Sequence, residues 1–173
     1  MEVFTGNRQK DSRMGFEISP SHDSSPESGP SVVLLVDDDP DMRSLTRTFL
    51  EHEGYCVFTS GNAERAVQIF RSAPQIDLLI TDLYMPGRSG MDLARELKAI
   101  RSELPVLVIS GGMVDGGQKA GLQEEGWSFL GKPFRLPELL GTVHRILAPV
   151  EARRWREAKQ GVAVEELLRT RRE

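Results

Sequence analysis

The 173-residue chain is almost without cysteine. Its one thiol, Cys56, cannot form an internal disulfide and fits a reducing compartment. No apolar stretch approaches the roughly 18 residues needed to cross a membrane, and the first residues lack the basic-then-apolar layout of a signal peptide. A cytoplasmic protein with no membrane contact is therefore expected. The three histidines, His22, His52 and His144, are scattered, which argues against a metal or catalytic role for them. An excess of positive charge is missing too. Residues 31–150 carry 12 basic and 16 acidic groups, a net −4, and so argue against broad nucleic-acid binding. Only residues 151–173 are basic, at +2 from 7 basic and 5 acidic groups.

What is present divides the chain in three. Residues 1–30 hold Ser19-Pro20-Ser21, Ser24-Ser25-Pro26 and Ser28-Gly29-Pro30. Such a composition buries too little apolar area to offset ordering entropy, so a disordered leader is expected. From Val32 strand-like and helix-like segments alternate. Strands are expected at Val32–Val36, Tyr55–Ser60, Asp77–Thr81, Pro105–Ser110 and Ser128–Gly131. The first helix follows Pro40, a residue suited to a first turn, presents Met42, Leu45, Phe49 and Leu50, and ends at Gly54. Asn62 is a suitable N-cap for the second. Leu93, Ala94, Leu97 and Ile100 mark the third. The fourth is weak, because Gly111, Gly112, Gly116, Gly117, Gly121 and Gly126 crowd its region, each costing about 1 kcal/mol against alanine in a helix interior. Leu139, Leu140, Val143, Ile146 and Leu147 define the fifth. Cys56, within a strand pattern, is expected in the core. Five βα units over 31–150 make an α/β, doubly wound domain. In 151–173 two short stripes, Trp155, Ala158, Val162 and then Val164, Leu167, Leu168, slip phase around Gly161. One or two exposed amphipathic helices are expected there.

Polar residues stand at the ends of four apolar runs. Val32–Val36 ends in Asp37-Asp38, Leu78–Thr81 in Asp82, Val106–Ile109 in Ser110, and Ser128–Gly131 in Lys132-Pro133. The first three runs are unbroken by polar residues, as strands of a doubly covered parallel sheet are. Parallel strands share one carboxyl edge, and ligands of open α/β sheets bind there. Three carboxylates, a hydroxyl and an ammonium should therefore meet. Clustered carboxylates repel unless a cation intervenes. A hard dication such as Mg²⁺ suits oxygen ligands, and one carboxylate, Asp82, could attack a phosphoryl group. Lys132 and Ser110 could then pair with the phosphoryl oxygens.

The segments LLVDDDPDMR, DLLITDLYMPGRSG, VLVISGG and FLGKPF resemble the four motif blocks of the response-regulator receiver family, over about Val32 to Leu147. The resemblance implies a (βα)5 flavodoxin-like fold, a five-stranded parallel sheet of order 2-1-3-4-5. It implies that Asp82 is the phospho-acceptor, that Asp38 binds Mg²⁺ directly and Asp37 through water, and that the Tyr84 backbone carbonyl is a further ligand. Ser110 matches the switch hydroxyl, Lys132 the active-site lysine and Phe129 the aromatic switch position, and a cis peptide is implied between Lys132 and Pro133. The implied partner is a histidine kinase or histidine phosphotransfer protein, with an unknown downstream protein. With no DNA-binding domain evident, a stand-alone receiver like the chemotaxis-type single-domain regulators is expected, a switch rather than an enzyme.

As an EF-hand, Asp37, Asp39 and Asp41 fail, since loop positions 6 and 12 would be Met42 and Thr48 instead of Gly and Glu. A haloacid-dehalogenase-like phosphatase fits Asp37 and Asp39, but Asp41 stands at its usual threonine position. A phosphorylation-independent interaction module on the same fold is disfavoured by the full set of carboxylates, hydroxyl and lysine.

Overall fold

A computed structural model describes residues 29–73, 75–112 and 116–170, the side chains of 116, 118, 119 and 158–170 excepted. Five strands and five helices alternate: β1 Val32–Val36, α1 Pro40–His52, β2 Cys56–Ser60, α2 Ala63–Ser72, β3 Leu78–Asp82, α3 Gly90–Ile100, β4 Val106–Ser110, α4 Gly116–Glu124, β5 Ser128–Gly131 and α5 Leu136–Thr170. The strands form one parallel sheet of order β2-β1-β3-β4-β5. β3 and β4 are buried at every residue, as their unbroken apolar runs require.

The sheet has a core on each face. Leu34, Val36, Leu79 and Val108 pack with Ala66, Phe70, Leu93 and Leu97 of α2 and α3. Val33, Leu35, Ile80 and Ile109 pack on the other face with Leu50 of α1 and Leu139, Val143 and Leu147 of α5. Odd and even strand positions thus serve opposite layers. Each fully buried Val, Leu or Ile contributes about 1.5–3 kcal/mol.

Polar residues start the helices. Asp39 Oδ1 accepts from the N–H groups of Asp41 and Met42 at 2.9 and 3.2 Å, with Pro40 in the first turn. Asn62 Oδ1 accepts from Arg65 N at 2.8 Å, and Ser89 Oγ from Asp92 N at 3.2 Å. Each cap is worth about 1 kcal/mol.

Several residues differ from the sequence expectation. Leu45 is 52% exposed, while Thr46 is buried in its place; the contact stripe of α1 is narrower than its apolar stripe. Ile100, in the last turn of α3, is 49% exposed. Cys56 is exposed and not in the core, because β2 is an edge strand paired only with β1. α4 is the shortest helix, nine residues long, with Leu122 as its buried anchor among the described side chains.

The boundary expected between 150 and 151 falls inside α5. The helix is continuous for 35 residues, with Pro149 in its interior, where the sequence reading ends one helix and begins one or two others. An interior proline removes one helix hydrogen bond and costs about 3 kcal/mol. Contacts on both sides of it hold the helix together. Leu147 is fully buried. Beyond the proline, Ser31 Oγ donates to Glu151 Oε1 at 2.9 Å, and Arg154 Nη1 to Asp77 Oδ2 at 3.1 Å. Asp77 is itself buried and also accepts from Val32 N at 2.8 Å and Gln75 Nε2 at 2.7 Å. These contacts fasten α5 to the amino edge of the sheet. Leader residues 1–28 and the side chains of Val164, Leu167 and Leu168 lie outside the described residues.

Two outcomes are expected. Arg154→Ala leaves Asp77 short of its charged partner, and denaturant melts should show a loss of about 1–3 kcal/mol. Residues 116–124 of α4 should exchange their amide hydrogens faster than those of α1 and α3, as read by hydrogen-exchange mass spectrometry, since three helical glycines and, among the described side chains, one buried residue give little local stability.

Candidate functional site

The carboxyl ends of β1, β3, β4 and β5 bring Asp37, Asp38, Asp82, Ser110 and Lys132 to one edge of the sheet. Register does the placing. Asp82 lies beside Ile109 and Ser110 beside Gly131, so Asp82, Ser110 and Lys132, which follows Gly131, come together at the carboxyl edge.

Lys132 ties the site together. Its Nζ donates to Asp37 Oδ2 at 2.9 Å and to Asp82 Oδ2 at 2.5 Å. Burial alone would lower its pKa, but the hydrogen bonds and charges of Asp82 and Asp37 outweigh that and raise it above the usual lysine value. A raised lysine pKa stabilises the folded protein fully below the unfolded value near 10.4, and the contribution is lost as pH climbs through the folded value. The ammonium is thus present throughout the neutral range.

Backbone groups hold the carboxylates from the other side. Tyr84 N donates to Asp82 Oδ1 at 3.0 Å, and Asp39 N to Asp37 Oδ1 at 2.9 Å. Asp37 and Asp82 are buried, while Asp38 is exposed. Ligand oxygens from the three aspartates lie within 4.8 Å of one another. Opposite ligands of an octahedral Mg²⁺ stand about 4.2 Å apart, so a small side-chain rotation would bring them onto one ion. An all-oxygen, anionic set is the chemistry a hard dication requires.

Ser110, 1% exposed, accepts through Oγ from Gly112 N at 3.2 Å, which leaves its own hydrogen for another acceptor. Lys132 N donates to Ser110 O at 2.7 Å, so the two residues are joined through the backbone. The peptide between Lys132 and Pro133 is cis, as the resemblance implies. Phe129 is 38% exposed on β5. Tyr84 is half exposed, and its ring lies so close to Gly112 that a Cβ there would sit 2.9 Å from Cε2.

Two residues given no role in the sequence reading shape this edge. Gly90 opens α3 directly against β3, where a Cβ would stand 2.0 Å from the Asp82 carbonyl oxygen and 2.8 Å from Thr81 Oγ1. Arg43 Nη1 donates to the Asp37 carbonyl at 2.5 Å. Arg43 closes the quoted segment LLVDDDPDMR, one helical turn after the Asp39 cap, and that spacing was the available signal.

The chain belongs to the response regulator receiver domain family, whose domain model matches residues 33–144. It is 33% identical over 122 residues to the transcriptional regulatory protein AruR of Pseudomonas aeruginosa, covering 68% of this chain and 50% of AruR. It is likewise 33% identical over 132 residues to GlrR of Escherichia coli, covering 75% of this chain and 30% of GlrR. The chain therefore spans half or less of the length of these relatives. Among solved structures, a receiver domain protein from Clostridium thermocellum aligns at 26% identity and TM-score 0.65 over 70% of this chain and 98% of that one. The response regulator TrrA of Thermotoga maritima, in complex with Mg²⁺-BeF, aligns at 30% identity and TM-score 0.59 over 68% and 99%.

Gly90→Ala should destabilise the fold by more than about 2 kcal/mol in thermal or denaturant unfolding. The added methyl meets a strand carbonyl and not the end of a flexible side chain, so relief requires backbone movement.

Proposed function

We propose that this receiver is a phosphorylation-controlled switch in a two-component or phosphorelay system, with Asp82 as the phospho-acceptor. The observation that carries the reading is Lys132, which bridges Asp82 and Asp37 at the carboxyl edge beside Ser110. Asp37, Asp38, Asp82 and the Tyr84 carbonyl would hold Mg²⁺, the ion in the complex of TrrA. The bound ion supplies charge neutralisation to the transferring group.

The donor is a phosphohistidine of a kinase or phosphotransfer protein. An Asp82 carboxylate oxygen forms the new bond to phosphorus as the phosphorus–nitrogen bond breaks, and the imidazole leaves with its electron pair and takes a proton. Tyr84 N holds Oδ1 of Asp82 and Lys132 holds Oδ2, which orients the attacking carboxylate. Once the phosphoryl group is in place, Lys132 pairs with one of its oxygens and the free Ser110 hydrogen with another.

The phosphoryl group brings a charge of about −1.5 to −2. Movement of Ser110 toward it vacates space beside β5, which the half-exposed Phe129 ring can enter. The surface of α4, β5 and α5 then changes its preference for a downstream protein, a population shift between two packings. In this reading the chain accepts and relays a phosphoryl group in the cytoplasm and does not turn over small substrates.

Incubation with Mg²⁺ and acetyl phosphate, or a cognate phospho-kinase, should add one base-labile phosphoryl group. Chelation of the metal or Asp82→Asn should abolish it, because an amide is not a competent nucleophile. Asp38→Ala should weaken Mg²⁺ binding more than Asp37→Ala. Undiminished labelling of Asp82→Asn would sink the assignment, and steady hydrolysis of small phosphoesters would turn the reading toward a phosphatase.

A further inference from the structure

Arg43 sits one turn into α1, which carries Asp41 and follows the loop that carries Asp37, Asp38 and Asp39. Among the described residues it makes no ion pair with any of them. Its Nη1 donates instead to the backbone carbonyl of Asp37 at 2.5 Å. The guanidinium reaches across to the loop after β2, where a Cβ on Gly61 would lie 3.3 Å from Nη1, 3.6 Å from Cζ and 3.7 Å from Nη2. The same two loops meet again through the backbone, Asp37 N donating to Ser60 O at 3.2 Å.

We propose that Arg43 is a positioning residue for the cation site: it clamps the Asp37 peptide between α1 and the Gly61 loop, and so fixes the carboxylates of Asp37 and Asp38. The role rests on the Mg²⁺ reading of that site.

Three features carry it. The bond goes to a carbonyl, so no carboxylate lone pair is taken from a metal. The next residue along that peptide is Asp38, whose side chain is exposed and has little packing of its own to orient it. The donor is a flat, delocalised cation, which can bond the carbonyl and lie against Gly61 at once, as a compact ammonium cannot. A groups-behind-the-ligand contact of this kind typically governs metal affinity by about 10-fold or more.

The test is isothermal titration of the full chain with Mg²⁺, with the metal-free thermal midpoint measured alongside. Arg43→Ala should raise the Mg²⁺ Kd about 10-fold. Gly61→Ala, which deletes nothing but presses on the guanidinium, should raise it by a smaller factor. In the Arg43→Ala background Gly61→Ala should then have no further effect, the non-additivity expected of one shared contact. Val57→Ala, a core truncation on β2, should lower the thermal midpoint and leave Kd unchanged.

Arg43 also places a positive charge near the cation, and if that charge outweighed its positioning, Arg43→Ala would bind Mg²⁺ more tightly. Tighter binding, equal binding, or additive effects of the two substitutions would each overturn the role. An absence of saturable Mg²⁺ binding by the wild type would overturn the cation reading along with it. Should Arg43→Ala fail to fold, Gly61→Ala and Arg43→Lys decide the matter, both expected to weaken binding.

Discussion

The carboxyl edge of this sheet depends on one ammonium. Asp37 and Asp82 come from neighbouring strands and are both buried, and Asp38 stands next to them. Two carboxylates held that close repel each other when no cation stands between them. Lys132 bonds both, and it arrives from the far side of the sheet, at the end of β5. The parallel sheet is thereby committed to an order in which β1, β3, β4 and β5 end together. The backbone bonds from Tyr84 and Asp39 finish what the lysine starts, since they hold the oxygens that it does not.

Much of this was legible in the chain. Unbroken runs such as Leu78–Thr81 and Val106–Ile109 read as doubly covered strands at that length, and all eight of these positions are buried. The polar residue after each run is then placed without further information. Strand order is different. Periodicity does not contain it, and it came with the resemblance of four whole motif blocks. Side-chain burial within a helix was legible to about one residue: Leu45 and Thr46 exchange places because apolarity marks which residues could be buried, while the neighbouring elements decide which are. Cys56 failed for a related reason, as nothing in a strand's own sequence says that it lies at an edge.

Contacts between distant polar residues away from the carboxyl edge were not legible. Asp77 reads as an ordinary first residue of a strand, and Arg154 as one more charge in a basic tail. Their pairing across 77 positions appears only once α5 is folded along the sheet. That pairing also explains why Pro149 does not end the helix. Local propensity predicts a break there, and anchoring on both sides overrides it. Arg43 lies close to its partner in sequence, but that partner is a backbone carbonyl, so the spacing points to the loop without announcing the bond.

The two edges of the sheet are linked by one rod. α5 starts four residues beyond Lys132 and is pinned near the opposite edge by Arg154, a span of about 28 Å at the usual rise per residue. A helix fixed at its far end cannot answer a displacement at its root by sliding bodily. Leu139, Val143 and Leu147 hold it to the sheet between those two ends, so the rod ties the acidic edge to the amino edge along its whole length.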